Sequence, residues 1–150
     1  MQDTLDQTRK LSQAFAYTSI QMHEAIGRKA GLSGTDHKYL GFLLTRGKMT
    51  AGELAKLSGL TTGAVTGMID RFEKKKLVKR TFVEDDRRKV YIQPNSEKIM
   101  ALMAPLYKDF RSKTEKILGS FSSKELKVLQ TWFTKAIEVM NETTGKLNRK

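Results

Sequence analysis

The chain has 150 residues, about one ordinary domain, long enough to bury roughly two thirds of its unfolded surface in a single core. Its 28 Lys and Arg against 16 Asp and Glu leave a formal charge of +12, which disfavours cationic partners and favours a polyanion, either nucleic acid or an anionic membrane surface. The absence of cysteine excludes disulfides, thiol nucleophiles, redox-sensing thiols and Cys-built metal sites. Residues 1–6 lack the basic and apolar regions of a signal peptide, and no apolar run approaches the ~20 residues of a spanning helix. A soluble, cytoplasmic protein of one domain, 1–150, is expected.

Leu11, Phe15, Met22 and Ile26 form one apolar stripe, so a long first helix is expected over about 3–30. Tyr39, Leu40, Leu43 and Leu44 mark a second helix that stops at Gly47. Thr50 with Glu53 forms a capping box that opens a short third helix ending at Ser58-Gly59. Thr61 caps a fourth, whose apolar positions Val65, Met68, Ile69 and Phe72 leave Thr62, Thr66, Asp70 and Arg71 on the other face. Leu77 to Val83, a charged tip from Glu84 to Lys89, and Val90 to Ile92 then predict a β-hairpin. Ile99, Met103, Leu106, Phe110 and Ile117 give a long helix that contains Pro105, and a kink is expected there. Ser122 with Glu125 is a second capping box, opening a last helix with Leu126, Leu129, Phe133, Ile137 and Met140 on its apolar face.

The informative segment runs from Ala51 to Arg88. Ala55, Gly59 and Val65 have the spacing of a helix-turn-helix: Ala55 lets two helices cross closely, Gly59 takes the positive φ of the turn, and Val65 plugs the seam. The first turn of the following helix presents Thr61, Thr62, Gly63, Ala64 and Thr66, short residues that let a helix approach base edges, donate to phosphates and touch thymine methyls. Residues 71–89 hold nine Lys and Arg against four Asp and Glu, a net of +5 in the segment that would form a wing. Charge alone is weak testimony; combined with the helix-turn-helix spacing it points to DNA.

The runs Met49 to Ala55, Leu60 to Glu73, Leu77 to Arg80 and Asp86 to Arg88 resemble the MarR-type winged-helix transcriptional regulators, and the resemblance covers almost the whole chain. It implies a mostly α, α+β fold with a winged helix-turn-helix at about 35–94, embedded between dimerisation helices at about 3–30 and 96–145. It further implies a homodimeric, sequence-specific regulator of transcription, most often a repressor, bound to double-stranded DNA at an inverted-repeat operator and released by a small aromatic effector. The DNA contacts would come from Thr61, Thr62, Gly63, Ala64, Thr66, Gly67, Arg71 and Lys74, with Asp86, Arg87 and Arg88 at the wing; Asp86 would orient the tip and Arg88 would reach the minor groove. Tyr17, His23, His37 and Phe42 are the candidate effector-pocket residues. Gly67 stands where many members have Arg or Lys, which implies close backbone approach at the loss of one contact. Lys76 stands where the family usually has Gly, which implies a different cap at the end of that helix. Gln93 and Ser96 also depart from the pattern, leaving the start of the next helix open.

Plainer readings stand beside these. Lys74 to Lys76 also fit a solvated helix end beside the C-terminal dipole, and Asp86 a simple turn former. Gly31 to Thr35 lacks the glycine of a nucleophile elbow, and Gly41 to Lys48 is wrongly spaced for a phosphate loop, so no catalytic residue, cofactor or enzyme activity is expected. His23 and His37 fall on different helices without carboxylates at helical spacing, so no metal site is expected. The competing class is a winged-helix module that binds a protein or coats nucleic acid without reading sequence.

Overall fold

The computed structural model describes residues 1–33, 35–83 and 86–148, with only the backbone of residues 83 and 86–89 described. They fall into two compact units, Met1–Leu106 and Tyr107–Lys150. The first unit contains α1 (Gln2–Lys29), α2 (Asp36–Arg46), β1 (Met49–Thr50), α3 (Ala51–Ser58), α4 (Thr62–Lys74), β2 (Val78–Val83) and β3 (Asp86–Pro94), together with the first turns of α5 (Ser96–Gly119). The second contains the rest of α5 and α6 (Ser123–Leu147). The fold is mostly helical with one small antiparallel sheet, the expected class.

Local chemistry sets most boundaries. Thr50 and Glu53 close the capping box of α3, and the Thr50 amide holds the Glu53 carboxyl below its ordinary range. Gly59 ends α3 at φ 69°, its N–H donating to the Ala55 carbonyl, and Thr61 then caps α4 by accepting from the Ala64 amide. Ser122 and Glu125 form the same box at α6. At α5, where the family pattern is broken, Asn95 takes over: its side chain accepts from the Lys98 amide.

The sheet has the order β1-β3-β2, so the expected hairpin gains a third strand. Met49 pairs with Ile92 and Thr50 with Tyr91. Two residues are too short for an alternation to show in sequence. Of the charged tip expected over Glu84 to Lys89, residues 84 and 85 lie outside the described residues, and the backbone from Asp86 onward belongs to β3, with Val83 paired to Asp86 and a register shift between Phe82 and Val83.

The core of the first unit is built on Leu40, Leu43, Leu54, Val65, Met68, Ile69, Phe72, Ile92 and Ile99, all fully buried. Each such side chain contributes about 1.5–3 kcal/mol of apolar burial. The apolar stripe read along α5 is divided rather than continuous in role. Ile99 and Met103 are buried in the first unit, whereas Phe110 and Ile117 are exposed. Periodicity identifies an apolar face but not which neighbour covers each part of it.

The end of α4 corrects another expectation. Lys76 adopts φ 58°, the left-handed conformation, and is the one non-glycine residue with positive φ among the described residues. Its N–H donates to the Glu73 carbonyl and the Leu77 N–H to the Phe72 carbonyl, the paired bonds of a Schellman cap. The helix is therefore capped as a glycine would cap it, with lysine carrying the steric cost. Lys76→Gly is expected to stabilise the protein by about 1 kcal/mol and to raise its melting temperature by about 2–4 °C. An unchanged or lower melting temperature would contradict the strain at this position.

Candidate nucleic-acid interface

Helix α4 has two distinct faces. Val65, Met68, Ile69 and Phe72 are buried, and the residues flanking the first of them, Thr62, Gly63, Ala64 and Thr66, are exposed, as is Thr61 before them. No side chain longer than threonine stands on that first exposed turn, so a partner can approach the backbone closely. The Thr66 hydroxyl donates to the Thr62 carbonyl at 3.0 Å, which occupies its proton along the helix and leaves the oxygen as an acceptor and the methyl for apolar contact. Gly67 is half-buried and Lys74 is exposed.

Arg71 differs from the other residues named on this helix. Its Nε and Nη2 donate to the two carboxylate oxygens of Asp36 at 2.8 Å each, a bidentate fork from α4 to the first turn of α2. Asp36 is only 3% exposed, while the Arg71 side chain keeps 54% of its surface. The hydrogen bonds to Asp36 raise the Arg71 pKa above its ordinary value despite partial desolvation. Nη1 lies beside Gly67, where a Cβ would stand 3.6 Å away in ordinary contact. Arg71 thus has an internal task that sequence reasoning missed. The signal was not local, since the two residues are 35 apart in the chain.

A second cluster joins α4 to the root of the wing. Arg80 on β2 donates through Nη2 to Asp70 at 2.6 Å and through Nη1 to Glu73, whose other carboxylate oxygen accepts from the Arg80 amide at 2.9 Å. Nothing in local spacing flagged this residue. The backbone of Asp86, Arg87 and Arg88 belongs to β3, and their side chains lie outside the described residues.

Of the four candidate pocket residues, three come together. His23, His37 and Phe42 line a cavity of about 510 Å³ between α1 and α2, with Ile20, Glu24 and Lys38 also on its walls. Tyr17 is not among its lining residues and is exposed. The two histidine rings stack with centroids 5.5 Å apart and planes 21° apart. Burial, followed by the proximity of His23, lowers the His37 pKa below its ordinary value. Among the described residues no group of three or more His, Asp or Glu side chains is placed to hold a metal, and no helix is long and apolar enough to cross a membrane.

This geometry meets the comparisons with known proteins. Residues 30–89 match the MarR family. The chain is 34% identical over 134 residues to the HTH-type transcriptional regulator YcgE of Bacillus subtilis (strain 168), covering 87% of this chain and 84% of that protein. Its fold is similar to that of a MarR family protein from Bacillus stearothermophilus, at TM-score 0.73 and 24% identity over 94% of this chain and 98% of the other. It is also similar to Streptococcus pneumoniae FabT, solved in complex with DNA, at TM-score 0.69 and 20% identity over 93% and 99% of the two chains. The chain belongs to the MarR family of winged helix-turn-helix transcriptional regulators, DNA-binding proteins that are not enzymes.

The internal task of Arg71 separates it from its exposed neighbours. Arg71→Met strands a buried carboxylate and is expected to cost about 1–3 kcal/mol of stability in urea unfolding. Thr62→Ala is expected to change stability by no more than about 0.5 kcal/mol. Equal effects of the two substitutions would contradict the difference.

Proposed function

We propose that the protein is a homodimeric, sequence-specific repressor in the cytoplasm, bound to an inverted-repeat operator and released by a small aromatic effector. The observation that carries the DNA-reading part is the exposed first turn of α4, made of short residues and backed by a fully buried apolar face. The basic 71–89 segment beside it supports the same reading. In this reading Thr61, Thr62, Gly63, Ala64, Thr66 and Gly67 meet the major groove, Lys74 and Arg87 contact phosphates, and Asp86 orients Arg88 towards the minor groove. Arg71 can serve through its outer nitrogen while its other edge stays on Asp36.

Selection of duplexes from a random pool should recover an inverted repeat whose half-sites are about one helical turn, ~34–36 Å, apart. A dimer neutralising about 6–10 phosphates should lose about 10³–10⁵ in affinity between roughly 50 and 200 mM salt. Arg88→Ala should weaken binding to the selected duplex by about 1–3 kcal/mol without lowering the melting temperature. Recovery of no consensus would instead favour a module that coats nucleic acid without reading it.

The dimer reading rests on exposed apolar side chains. No residue of α6 is buried, and Trp132, Ile137 and Met140 are all exposed along it. In the first unit the amino-terminal half of α1 likewise exposes Leu5 and Leu11. Apolar surface of this extent is more than a monomer ordinarily leaves in water. A second copy of the chain, related by a two-fold axis, would cover the same face on both partners. Ile137→Glu places a charge on that face and should shift the sedimenting species from dimer to monomer. A wild-type monomer at micromolar concentration would overturn this part.

The effector part rests on the α1–α2 cavity, which offers aromatic walls from Phe42 and the two imidazoles with Lys38 also in its lining, its ammonium over the Phe42 ring. A planar aromatic compound with an acidic group matches that lining. Binding of such a compound should quench or shift in proportion to its displacement of DNA, and Phe42→Ala should weaken it.

A further inference from the structure

The contact with Asp36 divides the Arg71 guanidinium into two edges. The side edge, Nε and Nη2, donates to both carboxylate oxygens of Asp36 at 2.8 Å each, which uses the Nε proton and one of the two on Nη2. The end edge keeps the second Nη2 proton and both protons of Nη1, and the side chain remains 54% exposed. A helical side chain leans back over the turn that precedes it, and Nη1 accordingly lies beside Gly67, one turn nearer the exposed start of α4. Glycine at that position has no side chain to cover the edge.

The neighbouring cations are arranged differently. Arg80 turns both terminal nitrogens onto Asp70 and Glu73, and Lys74 is an exposed point charge on a flexible stem. Of these three, Arg71 combines a fixed plane with an open pair of donors. Two parallel N–H groups match two acceptors side by side, which in the major groove are O6 and N7 of guanine. A phosphate is served as well by a mobile lysine.

We propose that Asp36 is a specificity-determining positioning residue: it fixes the plane of Arg71 so that the Nη1–Nη2 edge reads one guanine in each half-site. At 3% exposure Asp36 cannot itself reach a duplex. Ordering a free arginine on binding costs rotamer entropy, and the fork imposes that order before DNA arrives. Loss of the fork therefore acts at one base pair, whereas a general loss of packing acts on every duplex alike. This role rests on the sequence-specific reading of DNA proposed above.

The test takes the full-length protein and the duplex recovered by selection, replaces each guanine in turn by an analogue carrying C–H in place of N7, and reads affinity by fluorescence anisotropy. Wild type is expected to lose about tenfold at one guanine of the half-site. Asp36→Asn keeps the side-chain shape and removes the charge. It should bind the unmodified duplex about tenfold more weakly and lose nothing further at that guanine, while its losses at the other positions match wild type. Arg71→Lys keeps a cation without the fork and should show the same profile. In the unsubstituted protein the Arg71 Nη resonances should be separately resolved both free and bound to DNA, because an intact fork hinders rotation; this readout needs no variant to fold. An Asp36→Asn profile equal to wild type, a loss shared equally by every duplex including an unselected one, or a fork that opens when DNA binds would overturn the role of Asp36. A preferred duplex in which no guanine is sensitive would overturn this role alone. Recovery of no preferred duplex would overturn the operator reading and this role with it.

Discussion

The Asp36–Arg71 fork sets the terms for the rest of the first unit. Burying a carboxylate costs several kcal/mol, which attraction to a partner offsets only when the geometry is good and the oxygens are satisfied. Here both oxygens accept from one guanidinium at 2.8 Å, and the carboxylate also sits in the first turn of α2, where the helix dipole favours an anion. Such a pair adds little net stability over an apolar contact, but it permits few alternatives. It sets the rotation of α4 about its axis relative to α2 more sharply than the interchangeable apolar contacts of Val65, Met68, Ile69 and Phe72 would. Which residues of α4 face outward follows from that rotation.

Around this fork the unit distributes its costs in a consistent way. A glycine stands where α1 meets α2 most closely, Gly27 against the Cβ of His37. Lys76 accepts a left-handed conformation so that α4 can stop and β2 can begin within a few residues. The buried side-chain polar atoms among the described residues all have hydrogen-bond partners, so no unpaired group offsets the gain from the core.

What was legible in the sequence was local. The boxes at Thr50 and Ser122 are three-residue patterns whose partners are fixed by helix geometry, and Gly59 with Val65 reports a turn and its plug through residue size alone. The hairpin and the long terminal helices showed through β-rich runs and apolar stripes, and the family resemblance supplied only their roles as wing and dimerisation helices. What escaped was pairing between distant positions. Asp36 drew no notice, Arg71 read as a DNA contact alone, and Arg80 carried no role of its own. Each acquires its role from a partner on another element, which no periodicity encodes. The same limit applies to Ile99 and Met103, correctly placed on an apolar face whose covering neighbour could not be named. Asn95 was open to reading as a cap, and the unfamiliar residues around it obscured the signal.

The Arg80 cluster carries a mechanical consequence. By holding Asp70 and Glu73 of α4 together with its own strand, it leaves the recognition helix and the base of the wing little freedom to shift against each other. In the proposed function such a reading head would present its two contact elements at a set separation. When a duplex does not match this span, the DNA must take up the misfit by bending or by changing its groove width. Base steps that no side chain touches then enter the selectivity through their stiffness, so sites with identical contacted bases can differ in affinity.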